Sequence, residues 1–291
     1  MIPLPRALVL ALGFYFGIPV VQISGTLQCQ TAPTDSILAI AHTLFTEASI
    51  LANQGHQDEA ESKLQRVLDI REKALGLDHP DVALALHNLG FIYNAQGRYA
   101  EAEPLLRRAL IIREAALGPQ HLEVALTLNS LAFTYGVRSR YEEAEPLYER
   151  ALAIDEIVLG PNHLEVAHVL SNLGMLYDDL DRYIEARSVY ERVLAIRETV
   201  LGLGHPDVAD ALINLASLYH HQELYAEAIP LYRRSLDIRE VEFGPEHSDT
   251  GLALENLILA CELFFALPYI VQEQQSITAP ESMTVLCRPS P

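Results

Sequence analysis

Apolar and polar positions alternate with a helical period along the middle of this chain. Val82, Leu86, Leu89 and Tyr93 follow one another at steps of four, three and four residues. That spacing places the four side chains in one apolar stripe on an α-helix. The pattern therefore predicts an amphipathic helix over this segment.

A second helix follows the first after a short turn. Its apolar stripe is formed by Ala102, Leu105, Ala109 and Ile112. Gln96-Gly97 lies between the two stripes and predicts a turn short enough to make the helices antiparallel. The sequence Gly118-Pro119 predicts the end of the second helix, with glycine as a left-handed cap and proline as the stop.

This helix pair recurs every 42 residues without gaps. The same position is histidine in five units: His79, His121, His163, His205 and His247. The units are 37–78, which is divergent, 79–120, 121–162, 163–204 and 205–246, followed by a single helix over 247–267. Small residues recur where the paired helices must approach, at Gly90, Ala132, Gly174 and Ala216. A period of this length predicts stacked helix pairs instead of one globular core.

The repeated motifs resemble a known family. The patterns NLGxxY and GRYxEAEPLxxRAL, which begin at Asn88 and Gly97, resemble the tetratricopeptide repeat. The 42-residue length and the LGxxHPxVA linker resemble its kinesin light chain-like subclass. The resemblance covers residues 35–267 and implies an all-α fold, a right-handed α-solenoid of stacked antiparallel helix pairs. It also implies that the first helix of each pair lines a concave groove that holds peptides.

The first 34 residues differ from the repeats. They contain Arg6, no acidic residue and an apolar run over residues 7–23. This composition predicts a signal peptide or an N-terminal membrane anchor followed by a short linker. The protein would then be exported to the periplasm, secreted or membrane-anchored. The alternative is an apolar helix packed on the first repeat, in which case the protein is cytoplasmic.

The other end of the repeat region is unusually apolar. The last helix carries Leu263, Phe264 and Phe265, and Pro268 follows it. The tail, residues 268–291, contains four prolines and predicts an extended or disordered segment. Either this tail folds back over the last helix or another chain covers it, and self-association through these three residues is one such arrangement.

Charge and cysteine content restrict the function further. The net charge is −19, and residues 35–267 hold 18 basic and 37 acidic residues. An acidic surface repels phosphate backbones, so nucleic acid is not an expected partner. The three cysteines, Cys29, Cys261 and Cys287, lack metal-binding or redox-pair spacing. A free thiol and a single disulfide bond both remain open.

Candidate chemistry in the repeats favours structural roles. The repeated histidines lie one unit apart, too far for one zinc ion, whose nitrogen ligands lie at about 2 Å. His220-His221 is expected at a solvated helix end near Asp178 and Asp179, where weak metal binding stays open. No catalytic motif or cofactor-binding loop is present, so neither an enzyme nor a cofactor is expected. Repeat-fixed charges predict surface salt bridges: Glu101, Glu143, Glu185, Glu227, Arg108, Arg150, Arg192 and Arg234.

The resemblance places a peptide-binding groove along the first helices. Its asparagines, which can bond a peptide backbone as donor and acceptor, are Asn88, Asn129, Asn172, Asn214 and Asn256. Bridging of neighbouring helices is the alternative role for them. The first half of the groove is apolar at Leu84, Phe91, Leu126 and Phe133. The second half is polar and acidic at His168, Asp178, Asp179, Asp210, His220, Glu255 and Glu262.

The sequence thus predicts a non-enzymatic protein-interaction scaffold. Its ligand would be a protein segment or peptide with hydrophobic and basic character, bound in the concave groove. The alternative is a self-assembling structural module that docks through its apolar last helix. A regulatory repeat protein that acts with a catalytic partner is a third class.

Overall fold

A computed structural model describes residues 33–267 and 280–287, and all regular structure in these residues is helical. The helices are α1 (Pro33–Asn53), α2 (Gln57–Leu75), α3 (Pro80–Ala95), α4 (Tyr99–Leu117), α5 (Leu122–Val137), α6 (Tyr141–Leu159), α7 (Leu164–Asp179), α8 (Tyr183–Leu201), α9 (Pro206–His221), α10 (Tyr225–Phe243), α11 (Ser248–Ala266) and α12 (Pro280–Leu286). Consecutive helices pack as pairs, and the predicted all-α fold of stacked helix pairs is confirmed. The divergent unit 37–78 also forms a pair, α1 with α2.

The described helices form two compact units. One ends at Ile154 and the other begins at Asp155, so the boundary falls inside α6. The N-terminal unit has α1 to α5 and most of α6. The C-terminal unit has the end of α6 and all later helices.

Each repeated histidine starts a first helix. Its Nδ1 accepts a hydrogen bond from the backbone N–H two residues later, at 3.1 to 3.2 Å in all five units. This contact satisfies one of the donors that a helix N-terminus leaves without a partner. The preference for a structural role over a metal site is therefore supported by the geometry of the caps.

The glycines that end the second helices are in a more restrictive conformation than predicted. Gly118 has φ 88° and ψ 155°, and Gly202 and Gly244 are similar. This region is extended with positive φ and is essentially open only to glycine. The sequence predicted a left-handed helical cap, and the observed ψ angles do not fit that conformation. The positive φ angles nevertheless confirm that these positions require glycine.

Three buried arginines and one half-buried arginine connect consecutive units. Arg71, Arg113, Arg197 and Arg239 occupy one repeat position, and each donates to the backbone carbonyl of the residue two past the next unit's histidine, at 2.8 to 3.0 Å. Burial lowers the pKa of Arg71, Arg113 and Arg197, and nearby acidic side chains partly oppose it. At residue 155 the equivalent position is aspartate, which is 6% exposed. Glu165 is the residue whose backbone carbonyl would accept this hydrogen bond in the next unit. The aspartate at position 155 cannot supply the arginine donor that the other units have.

Seven of the eight charged residues predicted to form salt bridges do so, and one set joins neighbouring units. Arg108, Arg150, Arg192 and Arg234 each contact a glutamate 36 residues earlier, on the preceding second helix, at 2.5 to 2.6 Å. Glu101, Glu143 and Glu185 instead pair with an arginine three residues earlier. At Glu227 the position three residues earlier is Leu224, and the Glu227 Oε2 atom is buried without a partner in the described structure.

Among the described glycines, Gly174 on α7 has the closest neighbour across a helix pair. A Cβ at this position would lie 2.5 Å from Cε1 of Tyr190 on α8, whereas a Cβ at Gly136 of α5 would meet nothing within 4 Å. We expect Gly174→Ala to lower the free energy of unfolding by about 1 kcal/mol, because overpacking outweighs the gain in helix propensity.

Gly136→Ala is the matched control for that substitution. It adds the same methyl group to a helix without a clash, so we expect it to raise the free energy of unfolding by about 0.5–1 kcal/mol. Urea unfolding followed by circular dichroism measures both. Stabilisation by both substitutions would show that Tyr190 moves aside at no cost.

The C-terminal tail contains a helix that the sequence did not predict. Residues 280–286 form α12, which packs on α10, and Cys287 forms a disulfide bond with Cys261 of α11. The expectation of an extended or disordered tail is therefore wrong for these residues. The structure instead agrees with the alternative that the tail folds back. Residues 268–279 and 288–291 lie outside the described residues.

The N-terminal predictions concern residues outside the described part of the chain. The signal or anchor segment, its apolar run over residues 7–23 and Cys29 all precede Pro33. Within the described residues, Thr34–Asn53 of α1 is long and apolar enough to cross a membrane by length and composition alone. Because α1 packs against α2 as the first pair, the same composition also fits a helix of the repeat stack.

Candidate peptide-binding surface

One polar position recurs along the first helices and is half-buried in every unit. We call it the first-helix row: Asn88, Ser130, Asn172, Asn214 and Asn256. Asparagine is a poor residue for a helix interior, because its side chain competes for backbone hydrogen bonds. Its repetition at this position suggests a role for the side-chain amide itself.

In the N-terminal unit the row bonds back to its own helix. The Asn88 Nδ2 donates to the Leu84 carbonyl at 2.8 Å. The Ser130 Oγ likewise donates to the Leu126 carbonyl at 3.1 Å. These side chains do not bridge neighbouring helices through those bonds, and part of their hydrogen-bonding capacity is used.

In the C-terminal unit the row has unused hydrogen-bonding capacity. Asn214 and Asn256 are half-buried, and neither side chain has a hydrogen-bond partner within the described structure. Asn172, in the same row, already has an interaction partner. Each free amide offers two N–H donors and one carbonyl acceptor. Asn214 and Asn256 are therefore the members of the row best suited to bond a ligand backbone.

Asn129 does not belong to this surface. It lies one position before the row in sequence, and its side chain is only 5% exposed. The prediction that Asn129 lines the groove is therefore wrong, because this residue is buried. A second buried asparagine, Asn94, was missed from the sequence. Its Nδ2 donates to Thr134 Oγ1 at 3.0 Å, which joins α3 to α5. Asn94 occurs in one unit only, so the repeat pattern gave no signal for it.

The apolar residues predicted for the first half lie in the N-terminal unit. Leu84, Phe91 and Phe133 are half-buried and Leu126 is exposed. The Phe133 ring also packs edge-on against Tyr99, with ring centroids 6.4 Å apart. These side chains therefore leave apolar surface beside the row while contributing to the packing of the helices.

Two acidic residues predicted for the second half already have partners. Asp210 accepts a hydrogen bond at 2.6 Å from the buried Arg239. Asp178 Oδ2 lies 2.9 Å from Nδ1 of His221. Both carboxylates therefore bind within the chain, whereas Asp179, Glu255 and Glu262 are exposed. Partial desolvation by neighbouring atoms, with a smaller contribution from Asp178, raises the pKa of Asp179, and His221 partly opposes this shift.

The histidines of the predicted surface are held towards their neutral forms. Burial lowers the pKa of His168, with Glu165 opposing this shift and Arg197 adding to it. Burial and the neighbouring His221 lower the pKa of His220. The described residues contain no group of three or more histidine, cysteine, aspartate or glutamate side chains that could hold a metal ion.

The charge difference between the two units is large. Residues 155–291 contain 8 basic and 22 acidic residues, whereas residues 33–154 contain 11 and 17. The C-terminal unit therefore carries most of the net negative charge. A positively charged ligand is attracted to such a surface more strongly at low ionic strength.

The residues predicted for self-association are not equally available. Phe264 is 1% exposed and packs in the core between α10 and α11, and Leu263 packs against the same core. Phe265 is 48% exposed, and Ile258 and Leu259 on the same helix are 46% and 47% exposed. Phe264 is therefore not available for self-association, and the exposed large apolar side chains of α11 are Ile258, Leu259 and Phe265.

The repeated pairs and the row define a protein of helical repeats, and comparison identifies the family. The tetratricopeptide repeat model matches residues 39–115, 81–156, 123–199 and 207–263. The chain belongs to the tetratricopeptide repeat family, as the motifs predicted. Proteins of this family are generally non-enzymatic scaffolds for protein–protein interaction.

Solved structures show the same fold. A Podosopora anserina protein of nearly identical TPR-like repeats, assigned to the kinesin light chains, is 25% identical, with a TM-score of 0.59 over 71% of this chain and 98% of its own. BtubC (BKLC) from P. vanneervenii is 19% identical, with a TM-score of 0.57 over 90% and 96%. The apo form of RapI is 17% identical, with a TM-score of 0.63 over 81% and 79%. No curated protein sequence matches the chain.

Proposed function

We propose that this protein is a non-enzymatic scaffold that binds an extended segment of a partner protein along the first-helix row. Asn214 and Asn256 carry the proposal, because they are one unit apart and have amides without partners inside the described structure. Backbone hydrogen bonds to such amides hold a peptide without selecting its side chains.

The proposed ligand has basic and hydrophobic character. The basic part follows from the excess of acidic residues after residue 154 and from the exposed Asp179, Glu255 and Glu262. The apolar part follows from Leu84, Leu126 and their neighbours. Affinity for the basic part should fall as salt is added, because exposed charges are screened.

Removal of both available amides should weaken peptide binding. We expect Asn214→Ala combined with Asn256→Ala to raise the Kd for a basic-apolar peptide about tenfold, since each hydrogen bond contributes about 0.5–1.5 kcal/mol. Fluorescence anisotropy with labelled peptides measures the Kd. Asn88→Ala is the comparison variant within the same row and should raise the Kd less than the double variant does, because one of its N–H donors is already used within α3.

Two results would contradict the proposal. Equal binding of acidic and basic peptides by the wild-type protein would remove the charge argument. An unchanged Kd in the double variant would remove the two asparagines from the site. Sedimentation velocity on the same samples reports the oligomeric state.

Self-assembly is the second candidate function. It is favoured by the exposed Ile258, Leu259 and Phe265 on α11, because exposed apolar clusters are typical of protein contacts. Peptide binding by a monomer supports the scaffold, whereas a concentration-dependent oligomer that binds no peptide supports self-assembly.

Export or membrane attachment through residues 7–23 is also part of the proposal. The Cys261–Cys287 bond supports it, because disulfide bonds persist in oxidising compartments and are rare in a reducing cytosol. In that setting the partner segment would belong to another exported or membrane protein.

A further inference from the structure

The next helix that the structure describes after α11 is the seven-residue α12. Met283 of α12 is almost completely buried in the core formed by α9, α10 and α11. Arg233 of α10 donates from Nε and Nη2 to the Leu286 carbonyl, at 2.8 and 2.6 Å. The Cys261–Cys287 bond joins the end of α12 to α11. We call the surface beneath α12, which includes Arg233, Cys261 and Phe264, the α12 shelf.

The noncovalent contacts of α12 are few. The helix has seven residues, and isolated helices shorter than about 12 residues are not stable in water. Among its described side chains only Met283 is fully buried, whereas Val285 is exposed and Leu286 is half-buried. Its occupancy of the shelf must therefore depend strongly on the disulfide bond.

Loop closure gives the size of that dependence. The bond joins residues 26 apart in sequence. The entropy saved by closing a loop of this length favours the docked state on the order of 100-fold. Without the disulfide bond, only the noncovalent contacts of Met283 and Leu286 would favour the docked state of α12.

We propose that the α12 shelf is a helix-binding site and that the Cys261–Cys287 bond controls its occupancy. With the bond closed, α12 fills the shelf. With the bond open, α12 leaves and the shelf accepts the same segment added from outside. The ligand chemistry is a short helix that places a methionine-sized side chain in the core and a terminal carbonyl near Arg233.

The bond can be opened from the Cys287 side. Cys287 is half-exposed whereas Cys261 is buried. A thiolate of a small dithiol attacks the Cys287 sulfur, forms a mixed disulfide with it and releases Cys261 as a thiolate, which then takes up a proton. The second thiol of the reductant attacks its own sulfur in that mixed disulfide and releases Cys287. The protein disulfide gains two electrons, and the dithiol becomes a cyclic disulfide.

Hydrogen–deuterium exchange on the full chain tests the control of occupancy. We expect a dithiol to accelerate exchange in residues 280–287 by roughly 100-fold, with helices α3 to α8 unchanged. A Cys261→Ser/Cys287→Ser variant should show the fast exchange without reductant and no further response to it. Unchanged exchange in 280–287 after verified reduction would overturn the proposal, because Met283 and Arg233 would then hold α12 alone.

Disulfide trapping tests the shelf as a binding site. The protein is the full chain with Cys287→Ser, which leaves Cys261 free, and with Cys29→Ser, which removes the third thiol. The probe is a peptide of residues 280–291 that keeps its cysteine. In a redox buffer of a small monothiol and its disulfide, the buffer disulfide takes up the two electrons released when the peptide cysteine bonds to Cys261. We expect this peptide to label Cys261 at least about tenfold more than the same peptide with Met283→Asp, because a carboxylate is costly to bury.

Two outcomes of the trapping experiment would show that the α12 shelf is not a helix-binding site. Equal labelling by the two peptides would show reaction at an exposed thiol without a binding site. Absence of labelling by either peptide would show that the shelf stays covered without the disulfide bond. Either result would overturn the proposal, and neither bears on peptide binding along the first-helix row.

Discussion

Asp155→Asn should raise the free energy of unfolding at about pH 8, and the gain should shrink as the pH falls towards about 4. Burial, with a smaller contribution from Glu165, raises the pKa of Asp155 to about 7, from an ordinary value of 3.8. The folded protein therefore holds a proton that the unfolded chain releases between these two values. Stability falls as the pH rises through this window, by at most about 1.4 kcal/mol per pH unit. Asparagine carries no charge, so it avoids the loss.

The measurement for this prediction is urea unfolding of both proteins across the pH window. The difference between variant and wild type isolates residue 155 from the other acidic groups. Asp69→Asn is the control, because its carboxylate forms an exposed pair with Lys73 and should matter by less than about 1 kcal/mol. A difference between the Asp155 variant and wild type that does not depend on pH would contradict the raised pKa.

Arg113→Ala should lower the free energy of unfolding by about 3 kcal/mol. Arg113 is 1% exposed and donates to the Glu123 carbonyl at 3.0 Å and to Thr127 Oγ1 at 2.6 Å. Alanine removes both bonds, leaves a buried carbonyl without this donor and opens a cavity. The midpoint of urea unfolding measures the change.

Two variants separate the causes of this loss. Arg113→Met fills most of the volume and should cost about half as much, because only the hydrogen bonds are lost. Arg108→Ala, on the same helix, removes a partly exposed salt bridge to Glu72 and should cost less than about 1 kcal/mol. Equal effects of Arg113→Ala and Arg108→Ala would show that burial of the arginine adds nothing.

The repeat period predicted the fold because each helix pair has the same local signals. His79 and its equivalents mark where the first helices begin, and Gly118 and its equivalents mark where the second helices end. The conformation of the glycines and the cap at histidine Nδ1 could not be read from spacing, because both depend on backbone angles. Asp155 did leave a signal, since it interrupts a column of four arginines, and alignment of the units at that position reveals it.

The candidate surface was harder to predict than the fold. Asn88 and Asn214 occupy one repeat position, yet the first bonds to its own helix and the second has no such bond in the described structure. Spacing gives the position of a side chain on a helix but not its hydrogen bonds. The Cys261–Cys287 pair was equally hidden, because the distance between two residues in space does not follow from their separation in sequence.

The arginine contacts also change where one module ends and the next begins. Arg239 belongs by sequence to unit 205–246, but its acceptor is the Asp249 carbonyl in the first turn of α11. A module that contains its own contacts therefore extends past the 42-residue boundary into the next first helix. Shortened or rearranged versions of this protein should be cut after such a helix, because a cut after residue 246 separates a buried guanidinium from its acceptor.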